Sequence, residues 1–558
     1  MYNLRLSVIV ILCVAFIGYS CQSDQSSKTT VIQNIKGYTF YDGDLIQFGV
    51  LEFKDGKVVD VYGDTTFTAD ASTKVINGEG KVMLPGLIDA HAHVMGLGTM
   101  LMNIDLMGIK SLDSALTHIE KYASKNPDLK WIEGRGWNNT HWGDGDFPTA
   151  EDLDDVVSDR PVWLSRVDGH AGWANSKAME MAGITAETEA PEGGKIIRDE
   201  NGEPTGVFID EAEQLIATHI PEPTAEEQQM ALEKALQQMR SKGLTSVHDA
   251  GVSADTWDLY KKFADEGKLS TRIYAMIGGA GDTFDKLGKN GPITSYADDL
   301  LALRSVKIYG DGALGSRGAA MLEPYSDDPD NTGLLFHTQE EMNEMVLKTM
   351  SNEFQTNIHA IGDAANRQVL NAFENAKDSL GEQGLRNRVE HAQIVSQQDI
   401  PRFNELNIIA SMQPTHATSD MNMAEDRVGP ERIKGGYAWK TFVNQGTTLA
   451  SGSDFPVEHV NPFYGLYSAV TRQDHQGNPE GGWYPSESLN REQALRSFTL
   501  DAAYAAHQED MLGSLEPGKW ADFILVDRDY FEVPENEIWQ TKVLQTWMGG
   551  EKVYSADE

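Results

Sequence analysis

Two histidines spaced i and i+2 close an apolar run in Leu84-Pro-Gly-Leu-Ile-Asp-Ala-His-Ala-His93. In a strand, that spacing puts both imidazoles on one face, where their ring nitrogens can hold a metal ion together. Further along, polar residues stand at the ends of other apolar runs. They are Lys307 ahead of Gly310-Asp-Gly312, His359 in Ile358-His-Ala-Ile-Gly-Asp363, His391 in Val389-Glu-His-Ala392, and Asp454 in Ser451-Gly-Ser-Asp-Phe-Pro456. Four histidines and an aspartate are a metal-binding set by donor type. Taken singly, each has a plainer reading: a strand-end histidine as a satisfied core residue, Asp454 as a helix cap, Lys307 as an edge lysine. Only a fold that gathers them makes chemistry of them.

That fold is an α/β barrel. Strand-like runs cover Leu87–His93, Leu244–Asp249, Thr271–Ile277, Ser305–Gly310, Gln355–His359, Arg388–His391, Ile408–Met412 and Thr448–Ser451. Helical stretches such as Glu226–Lys242, Gln339–Asn352 and Ala364–Ala376 separate them. Eight βα units predict a (β/α)8 TIM barrel over residues 85–505, whose catalytic face lies at the C-terminal strand ends. A doubly wound sheet is the rival, but no Gly-rich dinucleotide loop follows the first strand. The gap after that strand is too long for one crossover, so residues from about 96 to 240 are expected to form an insertion over the active face. Residues 31–84 and 506–558 read as strands, with hairpin turns at Asp55-Gly56 and Gly549-Gly550. Neither end holds a core alone, so the two are expected to form one small β-sandwich.

The chain has 558 residues, enough for a large core, and a formal charge of -39. So acidic a surface repels nucleic acid and anionic lipid, which excludes both as partners. At the N-terminus, Arg5 precedes an apolar run from Leu6 to Ile17, then Gly18-Tyr-Ser-Cys21. We read residues 1–20 as a lipoprotein-type signal peptide, Cys21 as the lipid anchor and 21–30 as a tether. An ordinary signal is the alternative. The expected location is the cell envelope, with the membrane touched only through Cys21. Cys13 leaves with such a signal, which removes any cysteine nucleophile or cysteine-ligated zinc from the mature chain.

From about Thr30 onward the sequence resembles the amidohydrolase superfamily. The resemblance rests on Pro85 to His93 and on Gly513-Ser-Leu-Glu-Pro-Gly-Lys-Trp-Ala-Asp522. Within it the chain is most similar to the amidohydrolase-3 (YtcJ-like) branch, which includes N-substituted formamide deformylases. The residues pointing there are Gly134-Arg-Gly-Trp137, Arg166-Val-Asp-Gly-His170 with Asn175, Asp311 to Ser316, and His359 to Ala365. The resemblance implies one ion on His91, His93 and Asp454, and a second on His359 and His391. It puts Lys307 where the family carries a carboxylated lysine bridging both ions. An unmodified Lys307 leaves room for a single ion, because an ammonium beside two dications is repelled.

The chemistry expected is hydrolysis of a non-peptide amide, N-acyl or formamide-type C–N bond in a small molecule by a metal-activated hydroxide. Asp454 would move the proton as base and then acid. Zinc is the default for so histidine-rich a set. From the insertion, His170 is expected to polarise or orient the substrate, with Trp137, Asp168 and Asn175 lining the pocket. Alternatively Asp168-Gly-His170 is a self-satisfied turn, and Trp131, Trp137 and Trp142 form a small core. Two other functions stay open: a deaminase or cyclic amide or ester hydrolase on the same site, and a lipid-anchored binding protein. Oligomeric state is open, a homodimer included.

Overall fold

A computed structural model describes residues 29–557 except 64–67, 69, 71, 143–144, 167–169 and 192. The signal, Cys21 and most of the tether lie outside the described residues, as does Asp168. Among the described residues no helix is long and apolar enough to cross a membrane.

All eight expected barrel strands form: Leu87–Ala92, Leu244–Val252, Arg272–Gly278, Leu301–Tyr309, Gln355–Ala360, Arg388–His391, Ile409–Met412 and Leu449–Ser451. They pair in parallel and in chain order from the first to the eighth. Leu87–Ala92 is buried at every residue, as a parallel strand covered on both faces must be. The flanking helices start where side chains satisfy their first amides. Thr224 and Glu227 form a capping box on Ala225–Ser241, and Thr338 and Glu341 another on Gln339–Ser351.

The barrel is closed between its last and first strands by the loop after Leu449–Ser451. Asp454 N–H donates to His91 O at 2.8 Å, and His93 N–H donates to Phe455 O at 2.9 Å. A side chain at Gly452 would put Cβ 2.5 Å from His91 N and 2.6 Å from Asp89 Oδ1. Glycine is what allows this approach. The closing loop therefore carries Asp454 directly onto the two histidines.

The insertion leaves between the helices Val94–Met102 and Ala225–Ser241. These cross so closely that a Cβ on Gly98 would lie 2.2 Å from Ala231 O. It builds its own six-stranded sheet, ordered Gly194–Arg198, Pro204–Asp210, Ala171–Ala174, Val162–Arg166, Ile132–Trp137, Ile104–Asp105. Successive residues alternate between two cores: Val162, Leu164 and Trp173 on one face, Trp163, Ala174 and Phe208 on the other.

Strands from both chain ends join one sheet. Val82–Pro85 pairs with Phe523–Val526, and Val543–Met548 and Glu551–Ser555 extend that side. Thr30–Tyr41, Asp44–Lys54 and Lys57–Tyr62 extend the other. Phe53 and Phe523 are three strands apart, about 14 Å in a flat sheet, yet their rings are 6.1 Å apart. The sheet folds over on itself into a sandwich, sealed by Val58 N–H to Lys519 O and Ala521 N–H to Gly56 O, both 2.8 Å. A buried Arg272–Asp522 pair at 2.7 Å ties it to the barrel.

Candidate metal centre

The C-terminal ends of the barrel strands bring His91, His93, Lys307, His359, His391 and Asp454 together. His93 Nε2 lies 3.1 Å and His91 Nε2 3.6 Å from Asp454 Oδ1. Lys307 Nζ lies 3.1 Å from His91 Nε2. The His391 ring centroid is 4.8 Å from that of His91 and 4.5 Å from that of His359. His391 and Asp454 hold positive φ, 73° and 61°. Non-glycine residues accept that conformation only where the surroundings impose it.

The histidines are aimed from behind. His91 Nδ1 donates to Glu390 Oε2 at 2.5 Å, His93 Nδ1 to Ala250 O at 2.9 Å, and His391 Nδ1 to the Gln413 amide oxygen at 2.8 Å. Each bond fixes the proton on Nδ1 and leaves Nε2 bare toward the centre. Bare Nε2 of His93 and carboxylate Oδ1 of Asp454 then face each other at 3.1 Å, lone pairs on both sides. Such a contact needs a proton or a cation between its atoms. Asp454 Oδ1, His359 Nε2 and His416 Nε2 are all buried without a hydrogen bond. Donor types, aim and unfilled valence together fit a divalent metal ion.

Electrostatics agree. Burial and Lys307 hold the His91 pKa well below the usual imidazole value, burial and His359 do the same to His391, and burial and Lys307 lower His359 to about 4. These rings are neutral at pH 7, the form that ligates. Burial disfavours charge on His93, but its contact with Asp454 outweighs this and raises its pKa. Burial also opposes ionisation of Asp454, yet His93, His91 and His391 hold its carboxyl well below the usual range. Burial lowers Lys307.

Three buried carboxylates position the loops. Asp89 accepts from Ser453 Oγ at 2.7 Å, Ser453 N at 3.0 Å and His91 N at 3.1 Å, tying the first strand to the Asp454 loop. Asp311 accepts from Ala320, Ile361 and Gly362 amides, pinning the loop after the fourth strand to the one after His359. Its Oδ1 lies 3.5 Å from His359 Nε2. Asp249 accepts from Val94 N, fixing the helix that follows His93.

Two expected pocket residues are corrected. Asn175 is buried, and its amide is fully engaged within the insertion. Its oxygen accepts from Val162 N and Ala178 N, and its nitrogen donates to Val157 O and Arg160 O. It caps the helix Ser176–Met181 and has no valence left for a substrate. Trp137 is fully buried, donates to Leu164 O, and packs with Trp142 and Trp173 as core. His170 is exposed, its Nδ1 2.8 Å from Asp210 Oδ1. The cluster described above is built without it.

Three residues of the centre escape the strand-end reading. Glu390 and Gln413 stand behind His91 and His391, and His416 lies 3.8 Å from Asp454 Oδ2. The signal for His416 is Gln413-Pro-Thr-His416 directly after the seventh strand: a fifth histidine at a strand end, set one turn into a helix.

The chain is similar to known proteins in sequence and in fold. A family model described as "Amidohydrolase family" matches residues 74–554. "Protein LONG AFTER FAR-RED 3" of Arabidopsis thaliana is 34% identical over 525 residues, 90% of this chain and 88% of that protein. "N-substituted formamide deformylase" of Arthrobacter pascens is 28% identical over 502 residues, 86% of this chain and 90% of that protein. The solved structure of an uncharacterized metal-dependent hydrolase from Pyrococcus furiosus aligns with a TM-score of 0.75 at 28% identity, covering 90% of this chain and 100% of that one.

Proposed function

The chain belongs to the amidohydrolase family of metal-dependent hydrolases acting on carbon–nitrogen bonds, and on that premise we propose that it cleaves small non-peptide amides of the N-acyl amine or N-substituted formamide type. One observation carries this reading: bare Nε2 atoms of His91, His93 and His391 converge with the Asp454 carboxylate at the catalytic end of the barrel. The similarity to a formamide deformylase supports the substrate class.

In this reading His91, His93 and Asp454 would hold one ion and His359 and His391 would contribute to a second, and Lys307, once its amine has added carbon dioxide, would offer a carbamate oxygen in place of an ammonium. A divalent ion there, zinc by donor set, supplies Lewis acidity and lowers the pKa of water from 15.7 toward about 7. Asp454 takes a proton from the attacking water and returns it to the leaving nitrogen, so that amide and water become carboxylic acid and amine. Asp89 holds Asp454 in place through Ser453. His170, oriented by Asp210, meets the substrate from the insertion.

The test is product analysis. Metal-loaded protein is offered N-acyl amines, N-substituted formamides and amino-heterocycles. Release of carboxylate or formate with equimolar amine supports the proposal. Ammonia from an exocyclic amine, with the acyl group intact, rejects it in favour of deamination. Asp454→Asn lowers kcat by 10²–10⁴-fold; an unchanged kcat removes Asp454 from the proton path. We also propose export and anchoring at Cys21. Cys21→Ala then moves the protein from the membrane fraction to the soluble one, and an unchanged distribution refutes the anchor.

A further inference from the structure

The two oxygens of Asp454 face different partners. Oδ1 addresses His91 and His93, whereas Oδ2 lies 3.8 Å from His416 Nε2. One ligand atom each from His91, His93 and Asp454 lie within 4.8 Å of one another. The same holds for His391, His416 and Asp454. Among the described residues these are the two such groups, and His359 belongs to neither.

The second group is assembled by one turn of chain. Gln413 accepts from His391 Nδ1 and so presents His391 Nε2 to the centre. Its own carbonyl accepts from His416 N at 3.1 Å, in the first turn of the helix Pro414–Asp420. The His391 and His416 rings are then nearly parallel, with centroids 5.9 Å apart and planes at 21°. His416 Nε2 is buried and makes no hydrogen bond. An imidazole nitrogen kept from water in this way is stable only with a partner, and the atoms it faces are a carboxylate oxygen and the bare nitrogen of His391. Two nitrogens and one oxygen suit a divalent first-row cation with a position left open.

We propose that His416 Nε2 is a further ligand of the second cation, beside His391 Nε2 and facing Asp454 Oδ2. The strand-end histidines alone assign the second ion to His359 and His391. The present inference adds His416 as a ligand, and it rests on the metal-centre reading above.

The test is metal binding, independent of any substrate. Chelator-stripped protein is titrated with Zn²⁺ and with Co²⁺, and bound metal per chain is measured by mass spectrometry of the digested protein. Wild type takes two ions. His416→Ala keeps one and weakens the second by more than roughly 100-fold, beyond the 10–100-fold that loss of an outer partner costs. His416→Gln is run in parallel to guard against loss of fold, checked by thermal melting, and shows the same loss. The Co²⁺ visible spectrum of the second ion disappears in both. A single ion in wild type, or unchanged stoichiometry and affinity in a folded His416 variant, overturns the inference, even if that variant has a raised KM. Failure to bind any ion sinks the metal-centre reading itself, so the two failures are distinguishable.

Discussion

His91 depends on a residue it touches from behind. The Glu390 carboxylate, fully buried, fixes the proton on His91 Nδ1 at 2.5 Å and leaves Nε2 free. Glu390→Gln keeps the shape and removes the charge. We expect metal affinity to fall 10–100-fold with the melting temperature of the stripped protein little changed; equal affinity would reduce Glu390 to packing. At this scale the sequence is informative where chemistry and period coincide. His91, His93, Lys307, His359, His391 and Asp454 are legible because each follows an apolar run at a strand end. His416 is less so, because it sits on a helix beyond its strand: Gln413-Pro-Thr-His416 marks a histidine just past a strand end, but its spacing alone does not separate a ligand from a surface histidine. Asn175 and Trp137 mislead for another reason. An asparagine that caps a helix, or a tryptophan filling a core, has the same letter as one lining a pocket; only the buried hydrogen-bond partners tell them apart.

At the scale of elements, the site depends on how the barrel closes. The loop after the eighth strand is held to the first by Asp454 N–H to His91 O and by Ser453 to Asp89. Gly452 makes the approach possible, since a Cβ there meets His91 backbone at 2.5 Å. Gly452→Ala forces the two apart at a cost of about 1–3 kcal/mol. Denaturant unfolding should register that cost, and metal affinity should fall with it. Unchanged affinity would mean that the loop carries Asp454 independently of closure. The eight strands were readable because buried parallel strands are short continuous apolar runs between amphipathic helices. The insertion was readable only as a gap too long for a crossover. Its six-stranded sheet has cores on both faces, so its strands lack the one-sided alternation that marks a surface sheet.

For the whole molecule, stability is tied to pH far from the centre. His507, whose Nε2 donates to Leu385 O at 3.0 Å, has its pKa lowered to about 4 by burial and nearby arginines. Its folded pKa lies below the unfolded value of 6.5, so the stabilisation is present above pH 6.5 and lost as pH falls toward 4. His507→Gln should flatten the fall in melting temperature between pH 6.5 and 4; an identical slope would contradict that. Strands from both ends of the described residues meet in one sandwich clamped to the barrel, and the insertion rises from the first βα unit.

The central claim is that this centre is a metal site that drives C–N hydrolysis. Its most direct test is amine release from an N-acyl amine or N-substituted formamide by chelator-stripped protein as divalent metal is titrated back. We predict no turnover in the stripped protein, recovery with added metal, and saturation at stoichiometric binding. Full turnover after stripping, or saturation at less than about one ion per chain, would contradict it.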